Sequence, residues 1–528
     1  MSKNDFDRTT KLKDADNIVV VSQNDGTEYV SPSPGEFPIL GSTICVNYKE
    51  PVRSEFLTAR DCGISAGSTP VKYNNNDAEV ASGALTSKFK PALLNTGVGL
   101  VVNNASLIRS YDDKIYQFAF DDSAVASSYN VRMNYTVQQP FVTGIGVGDE
   151  PTWEKFVESG NPLINLSTCV EGPYTKTYKI ARNRMIFNCR SKFPVRQLHI
   201  NLAAADSKGW IGPWAGENSN YYKYLKAVDK LIQPMCWSFD LYPGVIKAGG
   251  KFIYASELKR LYGFLDRFLQ ISIETNRPFR MICLATEFEN GGGDYQASPN
   301  INRLRFETFT ALAYGAQEIQ YWTYCQRKHS DNPSEKDGIF ATEFYISSPI
   351  NRFGVKNQIW YSIQQVNEEI RQFSRVFLGC RVQCIQHLDN NYQSPLKEEM
   401  PSTEKPGFSQ TNTNAPIRIV SINEPAYDKE DEIFKGVMVS YLKRDPDNLN
   451  TDSKKNTSTD SEHTEYYVVI VSHDPDNYKN LIIEVKDGFA LLELTPHVVC
   501  KDSRSMPNYF ERDLLPGGYL IFKYTKIY

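Results

Sequence analysis

Eight short apolar runs constrain this chain more than any other feature of its sequence. Between about residues 37 and 375 they read "FPILGSTICV", "GISAGST", "GVGLVVN", "FVTGIGVG", "QLHINLA", "PMCWSFDLY", "FRMICLATEF" and "EIQYWTY". A strand wet on one face alternates apolar with polar residues. These runs are nearly continuous, so both of their faces need cover, as in a parallel sheet packed under helices. Amphipathic stretches supply that cover. "SELKRLYGFLDRFLQISIE" opens on Ser256, a good N-cap, and repeats apolar residues at helical spacing. "INRLRFETFTALAYGAQ" has Gly315 near its end, and "VKNQIWYSIQQVNEEIRQF" follows the eighth run, where it can seal a closed sheet. The fold class expected is α/β, a (β/α)8 TIM barrel over residues 37–378 after an N-terminal extension of residues 1–36.

From about residue 379 the texture changes. "RVQCIQHL", "IRIVSIN", "KGVMVSYL", "YYVVIVSH", "NLIIEVK" and "GYLIFKY" are short strands without helical periodicity, which predicts an antiparallel β-sandwich over 379–528. Two inserts, "PSTEKPGFSQTNTNAP" and "DPDNLNTDSKKNTSTDSEHT", are too polar to bury and read as loops. At 528 residues the chain exceeds what one core usually supports, consistent with two domains.

Composition excludes several functions. A net charge of −4 without a basic patch argues against a nucleic-acid partner. No run approaches the roughly 20 apolar residues of a membrane span. The polar start, "MSKNDFDRTTKLKDADN", has no signal-peptide h-region. Ten cysteines occur without a CxxC pair, and six histidines are dispersed, so no zinc site is expected. Cys45, Cys236, Cys283 and Cys325 sit in apolar runs and read as buried free thiols.

The fourth run ends in Asp149, Glu150 and Pro151, and the seventh in Glu287, with Glu289 two residues on. In a parallel barrel the C-terminal strand ends converge on one mouth. Two carboxyls facing each other there suit glycoside hydrolysis: one protonated to donate to the leaving oxygen, the other ionised to attack the sugar carbon. A separation of about 5–5.5 Å gives retention through a covalent intermediate. Structural roles compete with this one. Asp149 can cap a helix that has Pro151 in its first turn, and Glu287 can pair with Arg280, Arg303 or Arg305. Two long segments also follow strand ends, residues 152–195 with Cys169 and Cys189, and a loop with Trp210 and Trp214 that can stack on a sugar.

"GVGDEPTWEKF", "HINLA", "YYKYLKAVDKLIQPMCWSFDLYPG", "RLRFETFTALAYGAQEIQYWTY" and "LLPGGYLIFKY" resemble clan A glycoside hydrolases, and more narrowly the β-galactosidase-like barrel proteins of gut Bacteroides. The resemblance spans most of residues 37–528. It implies Glu150 as acid/base, Glu287 as nucleophile with Glu289 in reserve, a carbohydrate substrate, and no metal or organic cofactor. Asp149 stands where many clan members carry Asn. Clan members often have a Trp under the sugar ring, for which Trp322 or Tyr324 is the candidate. Asn201, Asp240 and Tyr242 complete the expected substrate contacts; Tyr242 could hold the nucleophile ionised through a hydrogen bond, and His199 reads as a core residue. Glycan-degrading relatives are exported, so a periplasmic or cell-surface protein with its leader removed is the expectation. A barrel that binds carbohydrate without cleaving it is the alternative.

Overall fold

A computed structural model of the chain describes residues 10–13, 18–22, 28–32, 37–46, 51–68, 88–103, 142–149, 156–160, 166–172, 175, 178–179, 197–202, 220–246, 254–290, 295–326, 343–392, 415–429, 431–444, 464–495 and 508–527. All eight apolar runs are strands: β1 Ile39–Gly41, β2 Ala66–Ser68, β3 Gly99–Asn103, β4 Val142–Asp149, β5 Gln197–Leu202, β6 Cys236–Asp240, β7 Phe279–Leu284 and β8 Glu318–Trp322. Each pairs in parallel with the next, and β8 pairs with β1, so the sheet closes into a barrel. Thr10–Lys13, Ile18–Ser22 and Glu28–Pro32 form a separate three-stranded antiparallel sheet.

The outward faces of β6 and β7 show why the runs are so apolar. Trp237, Phe239, Phe279 and Met281 are fully buried. Helices α1, Arg53–Asp61, and α2, Asn220–Ile232, precede helix α3, Tyr254–Thr275, which covers these side chains, with Phe239 stacked on Phe268 at 4.2 Å. Each such side chain contributes about 1.5–3 kcal/mol by leaving water. The helix begins at Tyr254, so Ser256 lies within its first turn and is not its N-cap. Helix α4, Ile301–Ala313, is capped by Asn300, whose side chain accepts from the Arg303 N–H at 2.9 Å. Gly315 follows it at φ 92°, the left-handed turn that stops the helix. Helix α5, Gln358–Gln372, is capped by Asn357 and packs against α4 after β8.

Beyond the barrel, Cys380–Leu388, Val437–Arg444, Glu465–Ser472, Tyr519–Lys526 and Phe489–Glu493 form one antiparallel sheet in that spatial order. Ile417–Asn423, Lys479–Val485 and Tyr509–Leu514 form a second. Inward residues of both, including Val439, Val468, Ile470, Leu481, Ile483 and Phe522, make one apolar cluster. The strands Phe489–Glu493 and Tyr509–Leu514 escape the sequence reading. "YFERDL" carries three charges in six residues because it lies at the sheet edge and buries little beyond Phe510 and Leu514.

Aromatic and histidine side chains join this region to the barrel. His387 and His473 stack at 5.1 Å. The Tyr262 hydroxyl of α3 meets His473 Nδ1 at 2.5 Å, and the Tyr314 hydroxyl meets His387 Nε2 at 3.0 Å. Phe309 of α4 stacks on Tyr519 at 3.5 Å. Burial holds His387 neutral, lowering its pKa to about 3, and lowers that of His473 further from the usual range.

Among the described residues no helix is long and apolar enough to cross a membrane, and no group of three or more His, Cys, Asp or Glu could hold a metal. The four thiols expected to be buried are buried and free.

Candidate active site

Strand β7 ends at Leu284, and after Ala285 and Thr286 the chain enters a small antiparallel strand, Glu287–Asn290. That strand lies between Tyr295–Gln296 and Glu343–Ser347 in a four-stranded sheet at the barrel mouth. The Thr286 hydroxyl fixes the turn, bonding to the Ser347 carbonyl and the Ser348 hydroxyl, the latter at 2.7 Å. Glu287 is therefore held at the C-terminal end of β7 by its neighbours on both sides.

The three arginines that could have neutralised Glu287 have other partners. Arg280 pairs with Glu318 inside the barrel, Arg305 with Glu369 on α5 at 2.7 Å, and Arg303 reaches Asp476 at 3.6 Å. No ion pair joins Glu287 to a described residue. Partial burial raises its pKa above the ordinary glutamate value. Glu289 is exposed.

Beside Glu287, Phe288 packs with Leu284, Tyr242 and Trp322. Tyr242 lends its ring to that cluster. Trp322 is half-buried at the tip of β8, and its peptide bond to Thr323 is cis. Tyr324 belongs to the core. It is fully buried, and its hydroxyl accepts from the Trp360 indole at 2.9 Å. Gly41 makes room for it, since a Cβ there would lie 3.1 Å from the Tyr324 Cβ. Of the two aromatic residues at β8, only Trp322 keeps a face toward solvent.

Asn201 and Asp240 come together. The Asn201 carboxamide donates to the Asp240 carboxylate at 2.9 Å and accepts from the Ser238 hydroxyl at 3.3 Å. Asp149 ends β4 in register with Asn201, so backbone pairing brings these three positions to one end of neighbouring strands. Ser238 and Glu318 were not singled out in the sequence, and Arg280 was named only as a possible partner of Glu287. Their signal was present: two consecutive apolar runs each carry a charge at their start, Arg280 and Glu318, and parallel strands set them side by side. Glu150, Trp210, Trp214 and Cys189 lie outside the described residues, as do the side chains of Asp149 and His199.

No family model matches the sequence, and no curated protein does. Solved structures do. A beta-galactosidase from Bacillus circulans sp. alkalophilus aligns over 93% of this chain and 99% of its own, at 9% identity and TM-score 0.51. Gan42B, a GH42 beta-galactosidase from G. stearothermophilus, aligns over 93% and 98%, at 9% identity and TM-score 0.51. The chain shares the fold of these two beta-galactosidases. At such identities the likeness reaches the fold and stops there.

Proposed function

We propose that this chain is a retaining glycoside hydrolase acting on a glycan or polysaccharide outside the cell, with Glu287 as nucleophile and Glu150 as acid/base. The observation that carries the reading is Glu287 itself, a carboxyl fixed at the mouth of a glycosidase-fold barrel while the arginines around it are committed elsewhere. An acid kept for structure is normally paired; one kept for attack must have its lone pairs available.

The chemistry follows from two carboxyls with different protonation. Glu150 gives its proton to the glycosidic oxygen as the bond breaks, and Glu287 attacks the anomeric carbon to form a glycosyl ester. Water, deprotonated by Glu150, then releases the sugar with its configuration retained. Trp322 offers an apolar face beneath the ring, and Asn201 and Asp240 offer polar contacts. Asp149, Tyr242, Trp210 and Trp214 complete the substrate-binding set.

A panel of aryl glycosides, with product anomers followed by NMR, tests this directly. Retention and a loss of about 10⁴-fold or more in kcat/KM for Glu287→Gln at unchanged melting temperature are expected. Inversion would exclude the covalent route. Sugar binding without turnover in the native protein would favour the non-catalytic carbohydrate-binding barrel instead.

A further inference from the structure

The barrel interior contains a hydrogen-bonded row that the catalytic scheme does not use. Asn201, Ser238, Arg280 and Glu318 are register partners on four consecutive strands, β5 to β8. Trp237 and Phe239 face the helices, so Ser238 and Asp240 face the interior. Arg280 and Glu318 are an ion pair with 0% and 3% of their side chains exposed. The Arg280 Nε–H donates to the Ser238 hydroxyl oxygen at 3.3 Å, and the links from Ser238 through Asn201 to Asp240 continue the row upward.

A guanidinium has donors and no acceptor. Arg280 can therefore only give a hydrogen bond to Ser238, and the Ser238 proton is left to point at the Asn201 carbonyl oxygen. That choice fixes the carboxamide, whose NH2 group must then face Asp240. Each dipole from the buried cation to the mouth is aligned with its positive end toward the Asp240 carboxylate. Reversing Asn201 would set its oxygen against a carboxylate and leave the Ser238 proton without an acceptor, both costly in a low-dielectric interior.

We propose that Arg280 and Ser238 are positioning residues that set the orientation of the Asn201–Asp240 pair, and that this pair receives the hydroxyl groups of the bound sugar. The identity of the ligand rests on the hydrolase reading above; the positioning does not. Asn201 is a donor and Asp240 an acceptor, the two functions that adjacent ring hydroxyls, which both give and accept hydrogen bonds, can engage.

The test uses Ser238→Ala in the full-length chain, with Ser238→Thr as the variant that keeps the hydroxyl. Ser238→Ala is expected to raise KM for an aryl glycoside ~tenfold, the 1.4 kcal/mol scale of one polar contact, while kcat stays within about twofold. Ser238→Thr should restore KM. In parallel, the side-chain amide protons of Asn201 are followed by selective ¹⁵N-asparagine labelling and assigned with Asn201→Ala. Their exchange with solvent should accelerate ~tenfold in Ser238→Ala. Unchanged KM, or a fall in kcat alone, overturns the sugar-binding part. Unchanged amide exchange overturns the positioning. A native protein that neither cleaves nor binds any saccharide removes the hydrolase reading, and the amide exchange then decides the positioning by itself.

Discussion

The barrel interior and the core between the two C-terminal sheets are both buried, yet they are built from opposite chemistry. Between the sheets lie Val439, Val468, Ile470, Leu481, Ile483 and Phe522, and the buried charge on the same strand face, Lys479, sits at the strand's start paired with Glu424. Inside the barrel lie Arg280, Glu318, Ser238 and Asn201, nearly as well buried and joined by hydrogen bonds, and Gln320, bonded to Ser42. An apolar core is the less costly way to fill space, since a buried ion pair gains little over well-packed hydrophobic residues. The barrel keeps its polar groups in a row that leads to the mouth, whereas buried polar groups of the C-terminal region such as Lys479 and His473 are engaged by Glu424 and Tyr262, away from it. On this contrast, changes between the sheets should alter stability alone, and changes in the barrel row should also alter the proposed catalysis.

Four changes break or sharpen the contrast. The largest effect is expected from Arg280→Met, which removes the guanidinium paired with Glu318, a carboxylate at 3% exposure. Removing one partner of a buried pair costs about 3–5 kcal/mol, read as a fall in the urea midpoint. A loss below about 1 kcal/mol would mean that the interior is wet and the pair is not holding it. Next is Leu481→Ala, fully buried between the sheets. It should lose about 2–5 kcal/mol and leave kcat/KM at 25 °C unchanged. Changed kinetics in a folded variant would give the C-terminal region a part in the chemistry.

The third concerns the contact between the two regions. His387 and His473 are held neutral by burial, with folded pKa values below the ordinary 6.5. Unfolding therefore takes up protons on the acid side. The stability this neutral pair contributes is complete above about pH 6.5 and falls as pH drops toward 3, where His387 itself titrates. Urea midpoints measured from pH 7 to pH 4 should decline, and His387→Gln should flatten the slope. An equal slope in both proteins would show that carboxylates, not this pair, set acid sensitivity. The smallest effect is expected from Asn300→Ala, which removes the cap of α4 and should cost about 1 kcal/mol in the same assay.

How far the sequence could be read depended on whether a feature is written locally. The eight barrel strands are, because a strand buried on both faces must be apolar throughout, and every one was found where its run lies. The edge strand Tyr509–Leu514 is not, because its charges resemble a loop until its partners Lys479–Val485 are known. Glu287 was legible as an acid at the end of an apolar run. Its freedom from Arg280, Arg303 and Arg305 was not, since each of those arginines is claimed by a residue far away in sequence. Tyr324 shows the opposite case: next to a candidate platform by position, it turns into the space left at Gly41.

What the sequence determined by itself is the order of strands and helices, the closure into one barrel, and the gathering of acids at strand ends, because burial pattern and strand direction follow from local residue choice. What only the tertiary structure decided is which polar groups meet. Asn201 and Asp240 lie 39 positions apart, and Arg280 and Glu318 lie 38 apart. Parallel pairing places such residues side by side, and hydrogen bonds act over about 3 Å, a distance that sequence spacing does not encode.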